Sequence, residues 1–430
     1  MTFIYLTVIL AGFWACNDAV MDIPCSEDPC ASDACTPQDC TDVNDSTFLG
    51  LDTLWASKPN LIKGAVKQIV QSDQYIFLNL ILPQGYDVQC YSKENGSLQW
   101  NFNSYPTEWL GDMHYDDYSD RLILQDRNTI ISLNPYNGEK ITQKSVFEGE
   151  QRSGTGAFGK ILDGYYYIPM ETNNRTVGGA VRSKTTDLEN WEWAYQITQS
   201  EVDGIEPSTD SYNLWIHPET GDEILLLQHR MAFWQKRIDL VAYNMTADSM
   251  YWWHKDIEPA GNSNIRQIQI FKDRAYFQGS RTIHAVNMMD GTYQWKYEDT
   301  EKSFVCCHSI VYAKSENLVI DNYSNDSDDS GLMAWDADNG NLRWSNNVGN
   351  YQAGFKEYYN SFVIQADGYL RVYNASGGRL IKELADIDRG SGFGGVLIDE
   401  EKELMYTLYG NESSTRYLQL MAITIDSVVE

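Results

Sequence analysis

The chain has 430 residues, and 61 Asp and Glu against 32 Lys and Arg give it a formal charge of −29. So acidic a surface repels phosphate backbones, which excludes nucleic acid as a partner class. Aromatic residues make up 13% of the chain, a composition that favours stacked β-sheets rich in Tyr and Trp.

Met1–Ala15 is an apolar run, shorter than the roughly 20 residues a membrane-spanning helix needs, and it suits the core of a signal peptide. Cys16, directly after Ala15, resembles the lipidated Cys of a bacterial lipobox. Cys25, Cys30, Cys35 and Cys40 follow at even spacing in a stretch of Asp, Glu, Pro, Ser and Thr. Such composition buries too little apolar surface to fold alone. The spacing is not that of a C-x2-C zinc knuckle, and in an exported chain four Cys fit two local disulfides of open pairing. The expected organisation is a signal peptide over 1–15, a disordered Cys-rich acidic tether over 16–46, and a folded region over 47–430.

From Leu61 onward the chain reads as strand, turn, strand. Expected strands include Tyr75–Leu82, Arg121–Leu124, Gly164–Pro169, Glu223–Gln228, Arg274–Gln278, Leu318–Asn322 and Phe362–Gln365. A hairpin recurs between them, clearest in Met333–Ser345, where Ala334-Trp335 ends one strand, Asn339-Gly340 makes the turn, and Leu342 and Trp344 alternate on the next. Tyr91 to Gly96 and Trp100, and Val286 to Gly291 and Trp295, have the same layout. Leu133 to Gly138 and Tyr373 to Gly378 keep the turn without the Trp. Tyr243–Trp252 puts Asp248 at the Gly position, and Ser183–Trp193 is a looser copy.

The Trp-equivalent positions are 100, 142, 193, 252, 295, 344 and 382. Their spacing is about that of a four-stranded propeller blade, 40–50 residues, with insertions such as Glu201–Asp210 in the longer steps. After the seventh copy, Gly394–Asp399, Leu404–Tyr409 and Tyr417–Ile425 supply three strands and no fourth. Leu51–Ala56, with Trp55, looks like the missing one. The expectation is an all-β, eight-bladed propeller of four-stranded antiparallel blades, with the last blade closed by the N-terminal strand.

The repeat resembles the aspartate–x–x–threonine–glycine–x–x–x–tryptophan signature of quinoprotein-type, PQQ-like repeat propellers. That group includes quinoprotein alcohol dehydrogenases and BamB-like envelope lipoproteins. The resemblance covers about residues 50–426 and implies the fold; it does not fix the chemistry. It makes Trp55, Trp100, Trp193, Trp252, Trp295 and Trp344, with Gly96, Gly138, Gly291, Gly340 and Gly378, the structural repeat positions.

Two segments carry candidate chemistry. Cys306-Cys307-His308 falls in Phe304–Val311, read as the inner strand of blade 6. In quinoprotein alcohol dehydrogenases a vicinal disulfide packs against the quinone, so the resemblance implies these three as cofactor-binding candidates and pyrroloquinoline quinone as the cofactor. The pair lies late in the chain, however, and the calcium ligands and catalytic Asp of those enzymes have no match here. Asp326, Asp328 and Ser330 with Gly331 copy the opening of a calcium loop without its closing Glu. The bland reading of Asp321–Gly331 is an acidic loop linking two strands.

Thr185–Trp191 faintly resembles an Asp-box turn but coincides with a repeat hairpin. Expected channel-lining residues include Trp109, His114, Trp215, His217, Arg266, His308 and Lys356. The preferred reading is a non-catalytic propeller of the bacterial cell envelope, lipid-anchored through Cys16 at the outer membrane or cell surface. It binds a protein partner or an extended ligand through its loops and channel mouth, with no cofactor. The alternative is an exported enzyme, quinone-dependent or carbohydrate-active.

Overall fold

The computed structural model describes residues 47–425 apart from 49–50, 59–61, 63–64, 83–84, 106–111, 127–128, 147–150, 154–158, 173, 203, 205, 232–236, 260–267, 280, 301, 305–309, 325–329, 348–355, 359, 367–368, 385–395 and 410–418. Within them the strands form eight antiparallel sheets. Numbered from the first complete sheet, the blades span 65–105, 112–145, 151–198, 207–259, 269–298, 303–347, 356–384 and 396–424. Blade 8 takes its fourth strand from Leu51–Ala56, which pairs with Gln419–Thr424 through Thr53 opposite Ile423 and Trp55 opposite Ala422. Thr47–Phe48 adds a short fifth strand outside it. The two ends of the chain thus close one blade.

The middle strands of each blade are apolar on both faces, as in Ile76–Leu78, Leu122–Leu124 and Ile224–Leu227, all fully buried. A sheet with neighbours on both sides needs this continuous pattern instead of alternation. The fourth strand alternates, as in Tyr293–Glu298, where Trp295 and Tyr297 turn inward between exposed neighbours. The core is accordingly a ring of eight clusters, each shared by two adjacent blades. Phe77, Val88 and Cys90 of blade 1 meeting Met113, Leu122 and Leu133 of blade 2 is typical.

Blade joints carry a second, directional contact. Trp55, Trp100, Trp252, Trp295 and Trp344 each reach the hairpin of the next blade. Their indole N–H donates to the carbonyl of Lys93, Pro135, Met288, Ala337 and Ala375 at 2.8–2.9 Å. Three residues beyond each acceptor stands Gly96, Gly138, Gly291, Gly340 or Gly378, at φ between +62° and +72°. A Cβ at any of them would come within 2.3–2.7 Å of the indole. Glycine is required twice over, for the left-handed turn and for the ring lying on it.

Strand register places Thr142 and Lys382 at the same position as these Trp side chains, opposite Ser132 and Val372. Where the ring is missing, the facing turn differs too. The blade 3 hairpin opposite Thr142 carries Leu188 at the Gly position, at φ +57° and fully buried. Leu188 packs with Ile123 and Ile130 of blade 2, filling space the indole takes elsewhere. Blade 8, which follows Lys382, has no hairpin there, because its third and fourth strands come from opposite ends of the chain.

Two segments differ from their sequence reading. Glu201–Asp210 is not wholly an insertion: Gln199–Val202 is a short 3-10 turn and Pro207–Ile216 is the first strand of blade 4. Its polar start, Ser208-Thr209-Asp210-Ser211, hides the strand because a register shift between Thr209 and Ser211 breaks the alternation. Asp321–Gly331 is not a loop throughout, since Leu318–Ser324 and Ser330–Asp336 are paired strands. In blade 6 Ser303–Phe304 and Val311–Ala313 both pair with the second strand, and residues 305–309 between them lie outside the described residues.

Replacing Gly340 by Ala should lower stability by about 2–4 kcal/mol, from left-handed strain plus overpacking against Trp295. Gly377→Ala, with nothing within 4 Å of its Cβ, should be neutral or slightly stabilising. Melting curves of the two variants check the lock, and equal midpoints would refute it. Deleting residues 47–56 should lower the midpoint further, by removing both Trp55 and the closing strand; an unchanged midpoint would count against closure.

Candidate functional site

The first strand of each blade has a neighbour on one side only, so backbone groups on its other edge need partners. Side chains of adjacent blades supply several. The Gln68 amide in blade 1 bonds both ways with Met113 of blade 2, at 2.8 Å each. Gln125 of blade 2 accepts from Gly159 N–H of blade 3 at 2.9 Å. Lys160 of blade 3 donates to Tyr212 O of blade 4, and Asn213 of blade 4 to Ile268 O of blade 5, both at 2.9 Å. Burial pulls the Lys160 ammonium down to about 8, against the raising influence of Asp112. The inner polar side chains therefore act mainly as ties between blades.

His114 stands on this inner layer, 3.5 Å from the Asp112 carboxylate and edge-on to Tyr166. Trp215 and His217 do not line the channel. Both are buried at the end of the first strand of blade 4, with Trp215 N–H donating to Lys272 O of blade 5. His217 Nδ1 accepts from the backbone of Glu219 and Thr220 and so closes its own turn. Ser330 is buried at the start of a strand, opposite Ser324. Cys16, Trp109, Arg266, Cys306, Cys307, His308, Asp326 and Asp328 lie outside the described residues, as does the Lys356 side chain. Among the described residues no three His, Cys, Asp or Glu side chains gather to hold a metal ion.

Blade 4 contains a buried polar row that the sequence reading missed. Thr209, His229 and Asp239 stand opposite one another on three neighbouring strands, each 0–1% exposed. The row resembles a nucleophile–base–acid series but is wired differently. His229 Nδ1 is 3.1 Å from the Thr209 hydroxyl. Asp239 accepts from Trp253 Nε1 and from Asp256 N–H. The row braces the blade.

Among the described residues, two hollows lie on the rim that carries the turns, across blades 8, 1 and 2. A hollow of about 560 Å³ is lined by Leu54, Asp73, Tyr75, Glu94, Asn95 and Lys402 among others. That volume falls within the ~300–1,000 Å³ range of ligand sites. A smaller hollow of about 70 Å³ adjoins it and shares Asp73, Gln74 and Tyr75 as a common wall. Lys93 fixes the floor of the larger one. Its ammonium bonds Asp399 of blade 8 at 2.7 Å, its N–H donates to Gln74 O, and its carbonyl receives Trp55. Lys402 donates to Asp73 O at 2.7 Å. The site is thus built on the closing joint of the ring.

With eight blades, a tryptophan-locked hairpin repeat and closure by the N-terminal strand, the chain is an eight-bladed β-propeller whose hairpin repeat is similar to the PQQ-like repeat. The family model described as outer membrane protein assembly factor BamB matches residues 210–391, from blade 4 through blade 7. No curated protein matches the chain by sequence. Among solved structures, BamB from Moraxella catarrhalis is 12% identical with a TM-score of 0.52, covering 83% of this chain and 93% of that one. The quinohemoprotein alcohol dehydrogenase ADHIIG from Pseudomonas putida HK5 is 10% identical with a TM-score of 0.59, covering 88% and 77%. Sqt1 from Saccharomyces cerevisiae is 8% identical with a TM-score of 0.61, covering 87% and 99%. At such identities the likeness is one of fold.

Burial holds the His229 imidazole down to about 3, with a hydrogen bond to Ser208 opposing the shift. An unfolded His titrates near 6.5. Between these values the unfolded chain binds the extra proton, so stability falls as pH drops below about 6.5. The loss from this group should be about 2 kcal/mol by pH 5. Urea unfolding of the native chain and of His229→Gln at pH 7 and pH 5 checks it. The gap between them should shrink by that amount at the lower pH, and a constant gap would refute the assignment.

Proposed function

We propose that this propeller is a non-catalytic binding protein of the bacterial cell envelope, tethered to a membrane through a lipidated Cys16. It engages a protein partner or an extended ligand through its loops and channel mouth. The observation that carries this reading is where the polar side chains go. Among the described residues Gln68, Lys160 and Asn213 of first strands, with Gln125 behind them, bind backbone of the next blade, while a large hollow opens on the loop rim. An arrangement that spends its inner polar groups on scaffolding favours recognition at the surface. The BamB family match over blades 4–7 supports the same role and compartment. Residues 1–15 act in this reading as a signal peptide, 16–46 as the tether and 47–430 as the propeller.

The alternative is an exported enzyme, quinone-dependent or carbohydrate-active, and the likeness to the alcohol dehydrogenase fold keeps it in view. One experiment separates the two. The full chain is cross-linked in intact cells and purified from the envelope, and a portion is incubated with pyrroloquinoline quinone and calcium. A stoichiometric protein partner, with no bound-quinone spectrum and no alcohol-dependent dye reduction, is the expected result. A saturable quinone spectrum lost in Cys306→Ser/Cys307→Ser would overturn it. Cys16→Ser should release the chain from membranes, and equal membrane partition of both forms would remove the anchor.

A further inference from the structure

The smaller rim hollow, between blades 1 and 2, has a composition its size alone does not explain. Its walls are Tyr75, Tyr115 and Tyr136, with Asp73, Asp120, Ser72, Gln74 and Pro135. Tyr136 is 53% exposed at the tip of the blade 2 hairpin, and its ring meets Tyr75 edge-on at 5.9 Å. Tyr115 O–H donates to Asp120 Oδ1 at 2.8 Å, which fixes that carboxylate between rings. Asp120 also lies in reach of the Tyr136 hydroxyl and holds that phenol above its usual range. Its own backbone is left-handed, at φ +50°. Burial first, then Asp73, Asp116 and Asp120, lift the neighbouring Asp117 carboxyl, with Lys93 opposing the shift. The acidic groups here repel one another, and a cation entering among them relieves that repulsion.

Aromatic faces beside carboxylates attract ammonium and guanidinium groups, by about 0.5–2 kcal/mol for each well-placed ring. At about 70 Å³ the hollow holds a head group of a few heavy atoms, not a whole ligand, since one water already occupies roughly 30 Å³ of liquid. The rest of the ligand must lie outside, and the 560 Å³ hollow across Asp73–Tyr75 is the adjoining space. That space has Leu54, 58% exposed, on its wall. Its two lysines are both engaged, Lys93 with Asp399 and Lys402 with Asp73 O.

We infer that Tyr75, Tyr115, Tyr136 and Asp120 form a cage for a cationic head group, and that its occupant is a lysine or arginine side chain of an extended partner segment lying along the rim. The inference rests on the binding role proposed above. It adds the partner's chemistry: a basic residue flanked on one side by apolar ones.

The test uses the full chain and a fluorescein-labelled ten-residue peptide of alternating Arg and Leu, followed by anisotropy in low and physiological salt. The same peptide with citrulline for Arg keeps shape and removes charge. The Arg peptide should bind and the citrulline peptide at least tenfold more weakly. Tyr136→Ala and Asp120→Asn should each weaken Arg-peptide binding at least fivefold. Asn tolerates the left-handed backbone at 120, so folding is preserved. Tyr136→Phe, which keeps the ring, should stay within threefold of the native chain. Glu298→Gln, on the exposed fourth strand of blade 5, should stay within twofold, which separates the cage from general attraction to an acidic protein. Arg-peptide binding unchanged in both Tyr136→Ala and Asp120→Asn, or equal binding of the citrulline peptide, would overturn the cage. If an envelope partner co-purifies equally with native chain and with these two variants, the cage is wrong and the binding role stands. If no partner is found but the peptide binds as described, the cage stands and the envelope role fails.

Discussion

An indole ring lying on a glycine turn is the constraint on which the ring of blades depends. A sheet packed on its neighbour through aliphatic side chains alone could slide along the strand direction, because hydrophobic contact is non-directional. The indole N–H bonded to one particular carbonyl fixes both slide and tilt. One hydrogen bond contributes only about 1 kcal/mol net. Each bond here is coupled to burial of a large ring against a turn that admits no side chain. The joints where the ring is absent follow the same logic. Thr142 faces Leu188, a side chain at the glycine position, and Lys382 stands before a blade with no hairpin to receive an indole. At these two joints the indole and the glycine turn are lost together, whereas at the blade 3–4 joint Asp248 takes the left-handed Gly position at φ +52° and Trp193 packs with the blade 2–3 cluster instead.

That constraint also decides which side chains the rim presents. The hairpins that receive the indoles project onto one rim, so the same turns that align the blades present side chains to solvent. Lys93 illustrates the double use. Its carbonyl accepts Trp55, its ammonium holds Asp399 across the closing joint, and its flank lines the larger hollow. The ion pair is nearly buried, with side-chain exposures of 5% and 10%. Removing Lys93 would leave the nearly buried Asp399 carboxylate with only Lys402, 3.9 Å away, to balance it. These ties hold the rim surface between blades 8 and 1 in place, so the binding proposed there would carry a smaller ordering cost.

Much of this was legible in the sequence, because a lock repeated every 40–50 residues leaves its Trp, Gly and Asn at fixed offsets. The repeat count, the antiparallel blades and the closing strand Leu51–Ala56 follow from those offsets and are what the structure has. Leu188 was illegible, since a left-handed leucine is tolerated only where a neighbouring ring is missing, and that is a fact about two blades at once. The strand at Pro207–Ile216 was hidden by a bulge in a polar segment. Trp215 and His217 were misplaced for another reason. Residue type tells that a side chain is large or polar, but not whether it stands at the channel or at the rim end of an inner strand.

The three tyrosines of the cage show the limit most sharply. Tyr75 opens the second strand of blade 1, Tyr115 stands on the first strand of blade 2, and Tyr136 sits in the hairpin of blade 2. None has a spacing to the others that a motif could capture, and tyrosine is common throughout this chain. Ring closure brings them together by setting the angle between two blades, and the Trp100–Gly138 lock sets that angle. Pro135, whose carbonyl accepts Trp100, is itself part of the hollow, directly beside Tyr136. The acceptor that aligns blade 2 with blade 1 thus shares a turn with the ring that walls the site. A change that loosened the lock would move Tyr136 away from Tyr75. The geometry of recognition at this rim is therefore inherited from the repeat, while its chemistry comes from the turn residues that the repeat leaves free to vary.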